Sequence, residues 1–586
     1  MSTQRQGEQV GPDEHFSTET AGLPEAVASE VLDLSDGDSV DLRIAPVLKR
    51  LGSADVRMLA YNGSVPGPTL RVQEGSALVV EVSNEIELEA TVHWHGLRLD
   101  NRYDGTHETQ TPIPVGGTFT YRLEFPDPGV YWYHPHIRED YGQEMGLYGN
   151  ILVVPADSAY WPPVHRELLL TLDDVLIEDG QIAPFSRTET TYVAMGRFGN
   201  VLLVGGETDL ALSVRAGEVV RLYLTNTANT RVFNVALPGA RIKLVGGDSG
   251  RCEREELVDS VILAPSERAV VDVLFGEPAQ LTLEHRTPER TYPLASIDVE
   301  AEPATPSLAG QFEILRHNPE WVAERERLAP HFDAPPDKTL SFVAAMDMGS
   351  PEAGGDTAVF LCPMHPAITA SWAAKCPSCA MKLLPGESGA PRPTAFVCPM
   401  HPEVAATWAG TCPHCAMTLR TTHDGSAADV ETEAGHAHHA EGHGHDAAGG
   451  IEWEDDMVEV NRITTPDNTH WKLVDRETDA VNHAIDWQFR VGDQVKIRLV
   501  NEMDSDHPMH HPFHIHGAGR FVVLARDGAA EENLVWKDTV LLRTGETVDI
   551  LLDVTHPGRW MAHCHIAEHH ESGMMFSFDV APADGD

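Results

Sequence analysis

Nowhere in this 586-residue sequence is there an apolar run of the roughly 18 residues that a helix needs to cross a bilayer, so no membrane span is expected. Basic charge is also scarce. Against 90 Asp and Glu stand 42 Lys and Arg, a formal charge of -48. Such a surface repels phosphate backbones and anionic lipid, which excludes nucleic acid as an expected partner. The first 30 residues lack both a basic start and an apolar stretch. The sequence as written therefore predicts a cytoplasmic chain, or an exported one whose leader has been removed. Cysteines available for disulfides are few: of eight, six fall in two matching triplets, Cys564 lies between two histidines and Cys252 stands alone. Cysteine usage thus gives no sign of the redox compartment.

Short alternating runs such as ALVVEVSN and FTYRLEF, broken by turn clusters such as SVPGPT and PDPG, predict a β-sandwich. The fragment EGSALVVEVSN returns as AGEVVRLYLTN and again as VGDQVKIRLVN, so three copies of one strand-rich unit are expected. The units are placed at 38–157, at 158–305, and at 306–348 with 451–586. The third is interrupted by an insert at 349–422, which carries the cysteine triplets, and by a His-rich linker at 423–450 too polar to form a core.

Histidines stand two apart in four segments: His93 and His95 in HWHG, His134 and His136 in HPH, His514 and His516 in HPFHIHG, and His563 and His565 in HCH. On a strand, residues two apart share a face, so each segment offers a pair of imidazoles to one metal cluster. Imidazole suits copper, zinc or iron, and the pairs alone do not choose among them. Cys564 narrows the choice, because strand alternation turns its sulfur away from its two neighbours. With His511, His569 and Met574 it supplies the two His, one Cys and weak axial Met of a blue-copper centre.

With these motifs, in this order, the sequence resembles a three-domain multicopper oxidase over nearly its whole length apart from the insert and the termini. The resemblance implies three cupredoxin-like Greek-key sandwiches, an all-β fold, and four copper ions. By position, His511, Cys564, His569 and Met574 would hold type 1 copper, and His93 and His514 type 2 copper. His95, His134, His136, His516, His563 and His565 would hold the type 3 pair. It also implies dioxygen as the electron acceptor and acids that feed protons to it. Asp104, in the DG after HWHG, matches one such acid. The family's glutamate after the last type 1 histidine is replaced by His570, with Glu571 one residue later.

The donor is less constrained. Type 1 copper accepts electrons from Cu(I), phenols or Fe(II), and copper-efflux relatives carry a third-domain insert where this one falls. In that branch Met and Asp side chains hold a substrate Cu(I). Met346, Asp347, His507 and Met509 fall at the similar places, with His507 in place of an Asp. The insert repeats CPMHP and CPxC with a period of 36, giving Cys362, His365, Cys376 and Cys379, then Cys398, His401, Cys412 and Cys415. Three thiolates and an imidazole complete a tetrahedral site for zinc or Cu(I), as in short heavy-metal-binding domains. The expected function is a copper-tolerance oxidase acting on Cu(I), phenols or Fe(II). Its rivals are a phenol-oxidising laccase whose insert only loads or senses copper, and a metal storage or delivery protein.

Overall fold

The structure, a computed structural model, describes residues 15–347, 359–386, 395–398, 400–401, 404–413, 417–421 and 449–583. Cys415 and most of the His-rich tract lie outside these residues. The fold is all-β. Three sandwiches follow one another, each of two sheets closed over its own core, the first opening already at the strand Val31–Leu34. No helix among the described residues is long and apolar enough to cross a membrane.

The three copies of the sequence repeat become Ala77–Asn84, Val219–Asn226 and Gln494–Asn501. Each lies parallel to an early strand of its domain (Ser39–Leu51, Arg166–Val175 and Lys338–Met346) and antiparallel to a later one, so the repeats occupy one topological place three times. The asparagine that ends each copy explains why a polar residue is kept there. Asn84, Asn226 and Asn501 are buried, and each Nδ2 donates to two carbonyls of the following loops. In the third domain those carbonyls belong to Met509, at 2.6 Å, and Arg543. Satisfying them fixes the chain two residues before His511.

Two strand pairs position the histidines. In the first domain His93–His95 runs antiparallel to Gly129–His134, with His93 opposite His134 and His95 opposite Trp132. In the third, His511–Ile515 runs antiparallel to Gly558–Cys564, with His514 opposite His563 and Phe513 opposite Cys564. The second domain contributes no histidine to this meeting point. Its strand Arg268–Phe275 instead delivers the buried Arg268.

Candidate metal centre

Residues opposite one another across an antiparallel pair share a face, and alternate residues change face. The register therefore sorts the third-domain ligands. His511 and Cys564 take one side, and His514, His516 and His563 the other. On the first side His511 Nδ1 lies 3.4 Å from Cys564 Sγ and His569 Nδ1 lies 3.7 Å from it. Met574 is buried, and its carbonyl accepts from the Cys564 amide at 3.2 Å. Burial pushes the Cys564 thiol well above its ordinary range, so a bound cation is needed to make it a thiolate.

On the second side all eight expected imidazoles converge, from two domains. His93, His95 and His134 bring ligand atoms within 4.8 Å of one another, as do His93, His514 and His516, and His136, His516 and His563. Between His516 and His563 the two Nε2 atoms are 3.1 Å apart. Their donor set fits metal. His93 Nε2, His95 Nδ1, His134 Nε2, His514 Nε2 and both ring nitrogens of His136 and His565 are buried with no hydrogen-bond partner. Burial first, and neighbouring imidazoles second, push His93, His95, His136, His514, His516 and His563 well below their ordinary pKa. These rings are neutral and each keeps a lone pair for a cation.

The opposite ring nitrogen is tied back in most of them, which selects the tautomer. His93 Nδ1 donates to the Asp104 carbonyl at 2.6 Å, and His134 Nδ1 to that of Pro135 at 2.9 Å. His514 Nδ1 faces the Asp538 carbonyl at 2.9 Å, and His563 Nδ1 that of Cys564 at 2.8 Å. His95 is reversed, its Nε2 donating to the Asp538 carboxylate at 2.9 Å, so its Nδ1 faces the cluster. His516 Nδ1 donates to the Asp104 carboxylate, also at 2.9 Å.

Asp104, singled out in the sequence, is therefore in contact with two cluster histidines. Burial raises its carboxyl to about 6. Glu571 sits further back, where its carboxylate accepts from the backbone N–H of Glu139 at 2.9 Å. Burial raises it to about 7. Sequence reasoning missed Glu139 itself. It opens the short helix Glu139–Gly142, is fully buried, and reaches His570 Nδ1 at 3.0 Å, His134 Nδ1 at 3.2 Å and His565 Nε2 at 3.6 Å. Burial alone would raise its pKa, yet the imidazoles of His565, His134 and His570 hold it well below the carboxylate range. Burial likewise opposes a charge on His570, and Glu139 overrides it and raises that imidazole. A carboxylate thus does stand beside His570, supplied by the first domain. Asp538 was missed as well. It joins His95 to Arg268, whose Nη1 donates to it at 2.7 Å. Neither acid lies in a recognisable motif; the only local hint was Glu139 three residues after His136.

The residues expected to hold type 1 copper are roofed. The ring of Trp471 lies 4.0 Å from that of His569, 4.9 Å from His511 and 5.8 Å from His507, and Phe342 lies 5.3 Å from His511. Trp471 is held by its Nε1–H on the Val193 carbonyl of the second domain at 2.7 Å. Met346, His507 and Met509 are buried in this neighbourhood, and Asp347 is exposed beside Met346. The 504–507 segment runs along the leading strand of the domain, with Met346 N–H donating to Asp506 at 3.0 Å. In the insert, the ligand atoms of Cys362, His365, Cys376 and Cys379 all lie within 4.8 Å of one another, and so do those of Cys398, His401 and Cys412.

Comparison with known proteins accords with this geometry. Residues 46–158 and 454–584 match two models described as Multicopper oxidase, and residues 395–421 match the Heavy metal binding domain. The multicopper oxidase MmcO of Mycobacterium tuberculosis is 30% identical over 280 residues, 42% of this chain and 54% of that protein. Laccase-3 of rice is 28% identical over 206 residues, 33% of this chain and 36% of that protein. The chain spans about half the length of the first relatives it matches. Among solved structures, a multi-copper oxidase from Pseudomonas thermotolerans aligns with a TM-score of 0.58 at 22% identity, over 95% of this chain and all of that one. One from Campylobacter jejuni, described as a metallo-oxidase, aligns with a TM-score of 0.58 at 20% identity, over 97% and 99% of the two chains.

Proposed function

We propose that this chain, which carries multicopper oxidase domains on either side of a heavy metal binding domain, couples one-electron oxidation of a small reductant to four-electron reduction of dioxygen to water. The observation that carries the reading is the Gly558–Cys564 strand and the residue after it. Cys564 faces His511 and His569, while His563 and His565 on either side of it face the histidine cluster. One stretch of backbone therefore joins an electron-accepting site to a site where several electrons can be collected.

Four coppers fit the donors. His511, Cys564, His569 and Met574 would hold the type 1 ion, His93 and His514 the type 2 ion, and His95, His134, His136, His516, His563 and His565 the type 3 pair. When bound, these ions supply the redox couple, accepting electrons singly and giving them to oxygen. The protein supplies order and protons. Asp104 orients His93 through its carbonyl and His516 through its carboxylate. At its raised pKa of about 6 it can also take up and release a proton at the cluster edge in mildly acidic solution. Glu139 favours the protonated form of His570 against the opposite edge, next to His136 and His563. Water formation consumes one proton per electron, and these two positions can hold them. Trp471 and Phe342 keep bulk water off the type 1 ligands.

The roof also bears on the donor. His511 and His569 are 1% and 0% exposed, so no face of either ring is open to a bulky phenol. A metal ion needs less room. Met346, His507 and Met509 offer thioether and imidazole donors to Cu(I), with Asp347 at the surface as the entry point, and the His507 ring leads through Trp471 to His569. This supports Cu(I) as the reductant and a role in copper tolerance. The metallo-oxidase description of the Campylobacter structure is in line with it.

The test uses copper-loaded full-length protein. A visible thiolate-to-copper band should bleach with reductant under argon and return with air, and Cys564→Ser should lose the band and oxygen uptake together. A band that bleaches with reductant and does not return with air would refute the oxidase and favour a storage protein. For the donor, Cu(I) oxidation should exceed phenol oxidation in the intact chain, and deletion of residues 350–448 should lower the first and raise the second. Faster turnover of phenols in the intact chain would instead identify a laccase.

A further inference from the structure

One stretch of the second domain, residues 192–198, has neither strand nor helix and is nevertheless buried throughout. A buried irregular loop brings backbone polar groups that no ladder satisfies, so their partners must come from elsewhere. They come from the third domain. Val193, Ala194, Met195 and Phe198 pack into that domain's core and not into their own. The hydrogen bonds run the same way. Ala194 N–H donates to Thr464 Oγ1 and Met195 N–H to Asn461 Oδ1, both at 3.0 Å. Asn461 Nδ2 in turn donates to the Gly196 carbonyl at 2.9 Å, and Trp471 Nε1–H takes the Val193 carbonyl at 2.7 Å.

The two anchors are themselves held. Asn461 ends the short helix Val458–Asn461, and its second amide hydrogen goes to Asp455 Oδ2 at 2.9 Å. Thr464 Oγ1 donates to the Asn461 carbonyl at 2.6 Å, which turns its lone pairs to the loop. Both side chains are fully buried. Buried polar groups cost free energy unless every bond is made, so a pair satisfied in this way specifies one position of the loop, where apolar packing alone would tolerate several.

That position is against the type 1 ligands. Gly196 has a φ of +78°, and a Cβ there would lie 2.1 Å from Thr230 Oγ1 and 2.9 Å from Ile566 Cγ2. Ile566 leads into the helix Ala567–Glu571, which carries His569. Neighbouring residues of the second domain grip the same helix: Ala567 N–H donates to the Asn229 carbonyl at 3.2 Å, and the Thr230 hydroxyl to Glu568 at 3.2 Å. The backbone of Ala194 comes up to the His569 ring itself. The loop therefore covers the edge of His569, while Trp471, hung from Val193, covers its face.

We propose that the 193–196 loop of the second domain is the donor-selecting element of the oxidase, and that Asn461 and Thr464 are the positioning residues that pin it against His569 and Trp471. Pinned, the loop fills the space in which an aromatic reductant would lie beside the His569 ring, and leaves the Met346, His507 and Met509 side to a metal ion. This rests on the oxidase reading for its donors. The second domain, which lends no histidine to the metal centre, thus decides what the centre can oxidise. Freed of its pins, the loop yields to a phenol, which gives one electron to the type 1 site and its proton to solvent.

The experiment compares copper-loaded full-length wild type with Asn461→Ala and with Thr464→Val, which keeps the shape and removes the acceptor, using guaiacol and Cu(I) as donors. Both variants should raise kcat/KM for guaiacol at least about tenfold, chiefly through KM, with no rise for Cu(I). Thr464→Ser, which restores the hydroxyl, should return to the wild-type ratio of the two donors. Damage to the site alone would lower both donors together, and guaiacol values unchanged or lowered in both variants would overturn the selection. Amide exchange of the metal-free proteins, read by mass spectrometry, reports the pinning without copper. Residues 192–198 should exchange at least about tenfold faster in both variants while the third-domain strands keep their protection. Unchanged exchange there would overturn the pinning. A wild type that consumes no oxygen with either donor would refute the oxidase reading and the donor selection with it, whereas the exchange result still decides the pinning.

Discussion

Replacing Asp538 by Asn tests whether the centre depends on an acid that no motif marks. The carboxylate accepts four hydrogen bonds: from Arg268 Nη1 at 2.7 Å, His95 Nε2 at 2.9 Å and the Thr539 hydroxyl at 3.0 Å on one oxygen, and from Arg268 Nη2 on the other. An amide of the same shape has one acceptor in place of two. Whichever way it is turned, an N–H of Arg268 or of His95 meets an NH2 group. Arg268 is fully buried, and its Nη1 also donates to the Ser266 carbonyl at 2.9 Å, so it has little freedom to swing away. Breaking a buried pair by removing one charge costs about 3–5 kcal/mol. With Asp248 Oδ1 3.8 Å from the guanidinium as a remaining counter-charge, about 3 kcal/mol is expected here. Loss of the group that fixes the His95 tautomer should also weaken copper binding by about 10–100-fold. Urea unfolding of the metal-free protein, followed by tryptophan fluorescence, gives the first quantity, and copper titration against a chelator of known affinity gives the second. A variant within about 1 kcal/mol of wild type that also binds copper unchanged would show that Arg268 and Asp538 are not coupled to the cluster.

Asn501→Ala should leave the Met509 carbonyl without its Asn501 donor and the Arg543 carbonyl with the Glu546 N–H alone, and destabilise the third domain by about 1–2 kcal/mol. Because Met509 precedes His511 by two residues, the visible band should shift as well, which absorption spectroscopy reads directly. Glu452 is buried, and burial, reinforced by Asp456, raises its carboxyl to about 7. A carboxyl raised in the folded state prefers its neutral form, so its penalty is absent below the unfolded value of about 4.3, grows from there to about pH 7, and is constant above. Glu452→Gln should therefore stabilise the protein by about 1–3 kcal/mol at pH 8 and by nothing at pH 4. Denaturant midpoints at the two pH values check the sign. Glu139→Gln should lower oxygen reduction more steeply at high pH than at low pH, because the carboxylate that keeps His570 protonated is gone. A pH profile parallel to that of wild type would remove Glu139 from proton supply.

What the sequence made legible was whatever repeats or alternates locally. The strand repeat announced three equivalent units because each copy has the same neighbours, and the His-x-His spacing placed each pair of imidazoles because strand geometry is local. The supporting groups were not legible. Asp538 and Arg268 are 270 residues apart in the chain, and Glu139 meets His570 across two domains, so nothing near any of them in sequence distinguishes a buried ion pair from a solvated charge. Asn501 ends its repeat just as Asn84 and Asn226 do, a recurrence visible in the sequence whose purpose appears only once the receiving carbonyls are known. The lysines of the insert are similar. The 36-residue period shows that Lys375 and Lys382 have threonine counterparts, yet only the contact with Asp504 and Asp506 gives that difference a meaning.

The division of labour along the Cys564 strand depends on register as much as on residue type. Pairing Phe513 with Cys564 and His514 with His563 puts His511 on the sulfur's side of the sheet and His516 on the imidazoles' side. A slip of one residue would place Cys564 opposite His514 and exchange the two faces, leaving a thiol inside the histidine cluster and an imidazole in its place beside His511 and His569. Several contacts hold the register. Cys564 N–H is bonded to the Met574 carbonyl, His565 N–H to that of Pro512 at 2.7 Å, and His516 N–H to that of Met561 at 3.0 Å. Beneath them Phe513 packs edge-on against Phe342 at 5.5 Å, filling the space next to the sulfur. The motif names the ligands, and this pairing separates them into two sites joined by a single residue's backbone.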